Sequence, residues 1–218
     1  MNKTILIILY FLLSVLTASS CAQSAKNGSD IAQEEEIDPY PDLDDFSKNL
    51  SKAALELTKD KVIYDPTYMK IPYPNGDVPA DRGVCTDVVI RAYRKLGIDL
   101  QKEVHEDMKA NFALYPNQKI WGLKTTDTNI DHRRVPNLQI FFSRKGIVKK
   151  ISNNPDDYLP GDLVTWNLGN GMTHIGIVVA HKAKDGKTPC IVHNIGGGQV
   201  LQNCLFAWTI TGHYSYKK

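Results

Sequence analysis

Near residue 146 the spacing of apolar residues changes from that of a helix to that of a strand, which limits the chain to folds in which helices come first and a sheet follows. Upstream, Cys85, Val88, Val89, Ala92, Tyr93 and Leu96 fall at i, i+3, i+4, i+7, i+8 and i+11, a continuous apolar stripe closed by Gly97. Leu50, Ala53, Ala54 and Leu57 predict a second helix that stops before Asp65-Pro66. Val104, Met108, Phe112 and Tyr115 predict a third ending at Pro116, and Leu138, Phe141 and Phe142 a short fourth, opened by Pro136 and stopped by Gly146. Downstream, residues 162–167, 173–180, 189–195 and 206–216 are β-rich and separated by Gly-Asn-Gly, Lys-Asp-Gly-Lys and Gly-Gly-Gly turns. Helices followed by an antiparallel meander predict an α+β domain.

The N-terminus has a different character. Lys3 precedes an almost unbroken apolar run from Thr4 to Leu16, and Ala18-Ser19-Ser20 puts small residues before Cys21. The run is shorter than the roughly 20 residues of a spanning helix, so residues 1–20 are expected to be a signal peptide. Small residues directly before a cysteine resemble a bacterial lipobox, which implies a diacylated Cys21 as the new N-terminus; ordinary secretion is the alternative. Residues 27–47 carry eight acidic side chains and no Lys or Arg, so 21–47 is expected to be a solvated, lipidated tether. From residue 48 onward there are 24 basic and 16 acidic residues, a balance of +8. A basic exported domain over 48–218 favours an anionic partner such as cell wall or lipid headgroups, and no nucleic-acid motif is present.

Of the four cysteines, Cys190 and Cys204 lie on either side of the Gly196-Gly197-Gly198 turn. An oxidising compartment makes a disulfide between them the expectation, with two buried free thiols as the alternative. Cys85 is left over, immediately after Arg82-Gly83-Val84, where a loop enters the strongest helix. There its sulfur lies near free N–H groups and the positive end of the helix dipole, a setting that lowers a thiol pKa from about 8.5 to roughly 3.5–7.5 and favours a nucleophile. The alternative is an inert member of the apolar stripe. A cysteine nucleophile needs a base, and the base needs an orienting partner. His174 opens the apolar strand Thr173-His174-Ile175-Gly176-Ile177-Val178, and His193-Asn194 closes the next. Polar residues in consecutive core strands are costly unless bonded. A satisfied core pair, or a metal site drawing on His105, His132, His174 and His193, are the other readings. No H-E-x-x-H or short Cys/His spacing occurs, so neither a metal nor a cofactor is expected.

The order of a helix-start cysteine, a Gly161-Asp162-Leu163-Val164 strand, His174-Ile175-Gly176-Ile177-Val178 and a His-bearing strand resembles the NlpC-type cell-wall cysteine peptidases, the bacterial branch of the papain-like fold, over about residues 62–218. More closely, Tyr73-Pro74-Asn75-Gly76-Asp77-Val78-Pro79, Gly83-Val84-Cys85-Thr86-Asp87, Asn129 to Leu138, Val192 to Gly196 and Ile210 to Tyr214 resemble the YijF-like family of bacterial domains of unknown function. The superfamily resemblance implies a papain-like arrangement of N-terminal helices on an antiparallel sheet, and hydrolysis of a peptidoglycan amide. The N-acetylmuramoyl–L-alanine bond is favoured over a bond within the stem peptide; a wall-binding lipoprotein without turnover is the reading from another class. Carried over by position, Cys85 is the nucleophile, His174 the base and then acid, and His193 the residue that orients it. The Cys85 N–H is one oxyanion donor, and Tyr64, Tyr68 or Asn75 is a second. Tyr64, Tyr68, Asp87, His132, Arg133 and Asn194 are expected to bind substrate. The implied protein is a monomeric exported lipoprotein of the cell envelope, periplasmic and attached to the outer membrane, with peptidoglycan as its partner.

Two features depart from the superfamily. It usually reads Asp-Cys-Ser-Gly where this chain has Val84-Cys85-Thr86-Asp87, and residues 98–160 look like an insertion. That insertion concentrates His105, Glu106, Asp107, Asp131, His132, Arg133 and Arg134, and Arg133-Arg134 offers a planar fork for lactyl or stem-peptide carboxylates. Trp121, Trp166 and Trp208 are expected in the core rather than in a sugar cleft.

Overall fold

The first helix begins inside the segment whose charge pattern reads as tether. In the computed structural model, which describes residues 38–218, α1 spans Asp45–Leu57, and the expected signal peptide, Cys21 and four of the eight acidic residues of the expected tether lie outside the described residues. Asp44 caps α1: its carboxylate accepts the Ser47 N–H at 3.2 Å and the Ser47 hydroxyl at 3.0 Å, while Asp45 occupies the first turn. Both carboxylates sit at the positive end of the helix, where negative charge stabilises it. The folded domain therefore starts before residue 48, because the last acidic residues, though exposed, cap and begin α1.

A two-stranded parallel pair, β1 (Ile63–Tyr64) and β2 (Arg82–Gly83), leads into α2 (Cys85–Lys95). Val88, Val89, Ala92 and Tyr93 of α2 are fully buried, as the stripe predicts. The third helix, α3 (Leu100–Ala110), ends earlier than its apolar spacing suggests. The Asn111 side-chain amide donates to the Asp107 carbonyl at 2.9 Å and the chain passes into a 3₁₀ turn over Phe112–Leu114. The short α4 (Asn117–Trp121), a 3₁₀ turn at Asp131–Arg133 and α5 (Val135–Lys145) complete the helical part.

Six strands follow: β3 (Ile147–Val148), β4 (Leu163–Asn167), β5 (Thr173–Lys182), β6 (Pro189–Asn194), β7 (Gln199–Gln202) and β8 (Thr209–Ser215). They form one antiparallel sheet in the order β3-β8-β4-β5-β6-β7. A mixed helix and sheet protein with an antiparallel sheet is what the period change predicts. The simple meander is corrected, however, because it covers β4 to β7 only. β7 follows the triple glycine, and β8 returns to pair with β4 instead of β6.

Sheet pleating explains the return. Leu163, Ile175, Ile177, Val179, Cys190 and Val192 pack on the helices, and the alternate residues Val164, Trp166, Val178 and Ile191 form a second apolar cluster on the other face. That outer face also needs cover. The connection from β7 to β8 supplies it with Cys204 and Leu205, and the Leu205 carbonyl accepts the Trp166 indole N–H at 2.9 Å. The same alternation corrects the expected disulfide. Cys190 belongs to the helix-side cluster and Cys204 to the outer one, so the sheet lies between them and both are buried free thiols.

Candidate active site

The start of α2 is fixed by three residues that the sequence points to as substrate contacts. Asp87 accepts the Val84 N–H at 2.7 Å and forms a two-pronged pair with Arg133, at 2.9 Å to Nε and 3.0 Å to Nη2. Both side chains are buried, 3% and 2% exposed. Asn194 donates from Nδ2 to the Gly83 carbonyl at 3.1 Å, tying the end of β6 to the loop before Cys85. Asp87, Arg133 and Asn194 thus hold the loop before Cys85: Asp87 and Arg133 pair with each other, Arg133 also lines the cleft over Cys85, and Asn194 bonds the loop from Nδ2 while its buried Oδ1 has no partner.

Cys85 lies at the first turn of α2, yet its thiol is not depressed as the helix-start position alone predicts. Burial pushes it up to about 12; the Ile175 N–H opposes this most, the Asp87 carboxylate adds to it, and the N–H groups of Thr86 and Cys85 oppose it. Desolvation outweighs the helix end, so the resting thiol is neutral.

The two histidines meet on the outer face of the sheet. His174 Nε2 is 2.9 Å from His193 Nδ1, and His193 Nε2 is 3.0 Å from Gln202 Oε1 and 3.5 Å from Cys204 Sγ. As the Gln202 amide is placed, Oε1 accepts only, so His193 carries its proton on Nε2 and accepts at Nδ1. His174 then carries its proton on Nε2, leaving an unprotonated Nδ1. Burial holds His174 down to about 3, with His193 adding to the effect, and burial also lowers His193 against the opposing bond from Gln202. Gly176 permits the approach, since a Cβ there would lie 2.5 Å from Ile191 Cγ2 and 3.2 Å from His193 Cβ. The half-buried Trp208 flanks both rings, 5.9 Å from His174 and 6.3 Å from His193.

Among the described residues no hydrogen bond connects Cys85 to either ring. A cleft of about 410 Å³ opens over Cys85, lined also by Tyr64, Trp121, Arg134 and Thr173. Tyr64 stays a phenol, pushed up by burial and by the neighbouring Cys85 and Asp87. Of the three candidate second donors, Tyr64 is the one beside the sulfur. Tyr68 instead donates to Asp127 at 3.1 Å and accepts from Asn129 at 2.9 Å, and the Asn75 N–H is held by Asp99 at 2.7 Å.

The insertion divides in the same way. His132 is buried away from the cleft, and His105 lies 3.8 Å from Asp131 with its ring against Tyr73. Trp166 is core as expected, but Trp121 is 37% exposed and carries the Arg134 guanidinium 4.2 Å over its ring. Gln202 carries no sequence signal of its own, because it lies on β7, which the alternation pattern does not predict; its pairing opposite Ile191 puts it on the face that carries His193.

The buried histidines set an acid limit on the fold. Burial holds His132 down to about 3, as it does His174, against an ordinary 6.5. A folded pKa below the unfolded one means that the unfolded chain binds more protons between about pH 3 and 6.5, so stability is lost as pH falls through that window. At pH 5 each of these two costs about 2 kcal/mol. Asp131, raised by burial, works in the opposite direction. Urea unfolding is expected to show a midpoint falling between pH 7.5 and 5, and His132→Phe should remove roughly half of the drop. A midpoint independent of pH over that range would show that neither imidazole is neutralised by burial.

With the scaffold and site described, comparison with known proteins fixes the family. Residues 51–216 match the domain of unknown function DUF1287, and the chain belongs to that family. A relative from Escherichia coli (strain K12), named "Uncharacterized protein YijF", is 55% identical over 155 residues, covering 71% of this chain and 74% of that protein.

Proposed function

We propose that this chain is a papain-like cysteine hydrolase that cleaves an amide bond of peptidoglycan, acting from the cell envelope as an exported, lipid-anchored and monomeric protein. The observation that carries this reading is the His174–His193–Gln202 series, which leaves His174 Nδ1 unprotonated, together with Cys85 and Thr173, the residue before His174, lining one cleft. Nucleophile and base contacts in such hydrolases are often loose until substrate closes them. In the reaction, His174 Nδ1 takes the thiol proton as sulfur bonds to the scissile carbonyl carbon, and the carbonyl oxygen gains negative charge between the Cys85 N–H and the Tyr64 hydroxyl. The proton on His174 then passes to the leaving amine as the C–N bond breaks. Water, deprotonated by His174, then bonds to the acyl carbon, the C–S bond breaks to release the carboxylic acid, and the proton on His174 returns to the Cys85 sulfur. His193 holds the ring and stabilises its charged form. The N-acetylmuramoyl–L-alanine bond is favoured, and the basic domain suits the anionic wall.

One observation favours a wall-binding protein without turnover: Cys85 is buried, its thiol is pushed up by that burial, and among the described residues no hydrogen bond joins it to either imidazole. Digestion of purified sacculi, followed by mass spectrometry of the soluble products, separates the readings. Glycan with free lactyl ends is expected; shortened stems indicate an endopeptidase, and retention on sacculi without any soluble product rejects hydrolysis.

A further inference from the structure

We propose that Arg134, stacked on Trp121, is a carboxylate-binding subsite of the Cys85 cleft, so that the ligand is a peptide bearing a free carboxylate close to the bond attacked. The identity of that bond rests on the hydrolase reading, whereas the subsite rests on the geometry. Five of the six arginines among the described residues have hydrogen-bond partners in the fold: Arg82 bonds Asp65 and Asp81, Arg91 and Arg94 share Asp77, Arg133 takes Asp87 and Arg144 takes Asp107. Arg134 makes none. Its Nη1 is buried without a hydrogen-bond partner. The Asp131 carboxylate 3.8 Å away already accepts from the Asn117 side chain at 3.2 Å and from the Asp127 N–H at 2.5 Å.

A guanidinium presents five donors in a rigid fork that fits a carboxylate with two parallel bonds. Here the fork is pre-oriented by the indole face 4.2 Å away, and the side chain is only 19% exposed, so little ordering or desolvation is left for the ligand to supply. The charge of the cleft points the same way. Its lining contains no Asp or Glu, and of its two arginines Arg133 is hydrogen-bonded to Asp87 while Arg134 has Asp131 only at 3.8 Å with no hydrogen bond, so the Arg134 donors are the ones left for an anion. The next residues along the chain, Val135 and Pro136, line the cleft together with Cys85, which puts the bound carboxylate near the sulfur.

The test follows indole emission of the purified protein during titration with N-acetyl-D-alanine and with its neutral amide. The acid is expected to bind about tenfold or more tightly than the amide, Arg134→Gln to erase that preference and Arg134→Lys to keep part of it. Cys85 supplies a second readout: the ratio of its alkylation rates by anionic iodoacetate and neutral iodoacetamide should fall in Arg134→Gln. Equal binding of acid and amide to the unaltered protein, no binding of either, or a preference that survives Arg134→Gln each overturns the subsite. Titration with D-lactate separates the two sources of a carboxylate, and tighter binding of lactate than of N-acetyl-D-alanine would move the anion to the glycan and reject a peptide ligand. Hydrolysis of sacculi without acid preference defeats the subsite alone. Acid preference without hydrolysis defeats the hydrolase reading and leaves the subsite standing.

Discussion

Cys85→Ala and His174→Ala are each expected to lower the release of soluble products from sacculi by about 10³-fold or more, with His193→Ala retaining a measurable fraction of the activity. The ranking follows from what each group does. In the proposed reaction sulfur forms the covalent bond and His174 Nδ1 moves the proton, so neither has a substitute. In that scheme His193 does not carry the transferred proton; it accepts the His174 Nε2–H at 2.9 Å and so keeps Nδ1 unprotonated. An amide can do part of that, and His193→Gln or His193→Asn is expected to restore some of the rate lost in His193→Ala. Gln202→Leu should show a smaller loss, since it removes only the acceptor that sets the His193 tautomer. Alkylation of Cys85 across pH in each variant supplies a readout that needs no substrate. If His174→Ala leaves both the hydrolysis rate and the Cys85 alkylation profile unchanged, the imidazole is not the base and the wall-binding reading is the better account.

The second large effect is on stability. Asp87→Ala is expected to cost about 3–5 kcal/mol in urea unfolding, because it leaves the Arg133 guanidinium buried and unpaired and also removes the acceptor of the Val84 N–H. Arg133→Met should cost a similar amount for the mirror reason. The double variant Asp87→Ala/Arg133→Met is expected to lose markedly less than the sum of the single losses, since no unpaired charge is then buried. Were Asp87→Ala to unfold within 1 kcal/mol of the unaltered protein, as a rough allowance for a surface change, the carboxylate would be free for substrate. The role read from the sequence would then be restored.

Much of this was legible in the sequence, and the failures share one origin. The α2 stripe, the strands β4, β5, β6 and β8 and the placement of Cys85, His174 and His193 all follow from periods of 3.6 and 2 and from turn residues, which act over a few neighbours. The tether boundary, the end of α3 and β7 are also local features, but each depends on one short bond or one turn that a period cannot reveal: Asp44 to Ser47, Asn111 to Asp107, and the hairpin across Gly196 to Gly198.

What the sequence determined by itself is a helical half followed by an antiparallel half, a family, and a set of polar residues with no business in a core unless bonded. Which residue each one bonds was decided by the tertiary structure. Arg133 and Arg134 are adjacent and chemically alike, yet one is neutralised by Asp87 from α2 and the other is left over Trp121. Cys190 and Cys204 are near in sequence, yet the sheet separates them because one points to the helices and the other arrives on the outer face with the β7 to β8 connection. Cys85 has the sequence position of an activated thiol, and burial sets it at about 12. Pairing, facing and desolvation depend on groups tens of residues away, and for that reason only the folded chain assigns them.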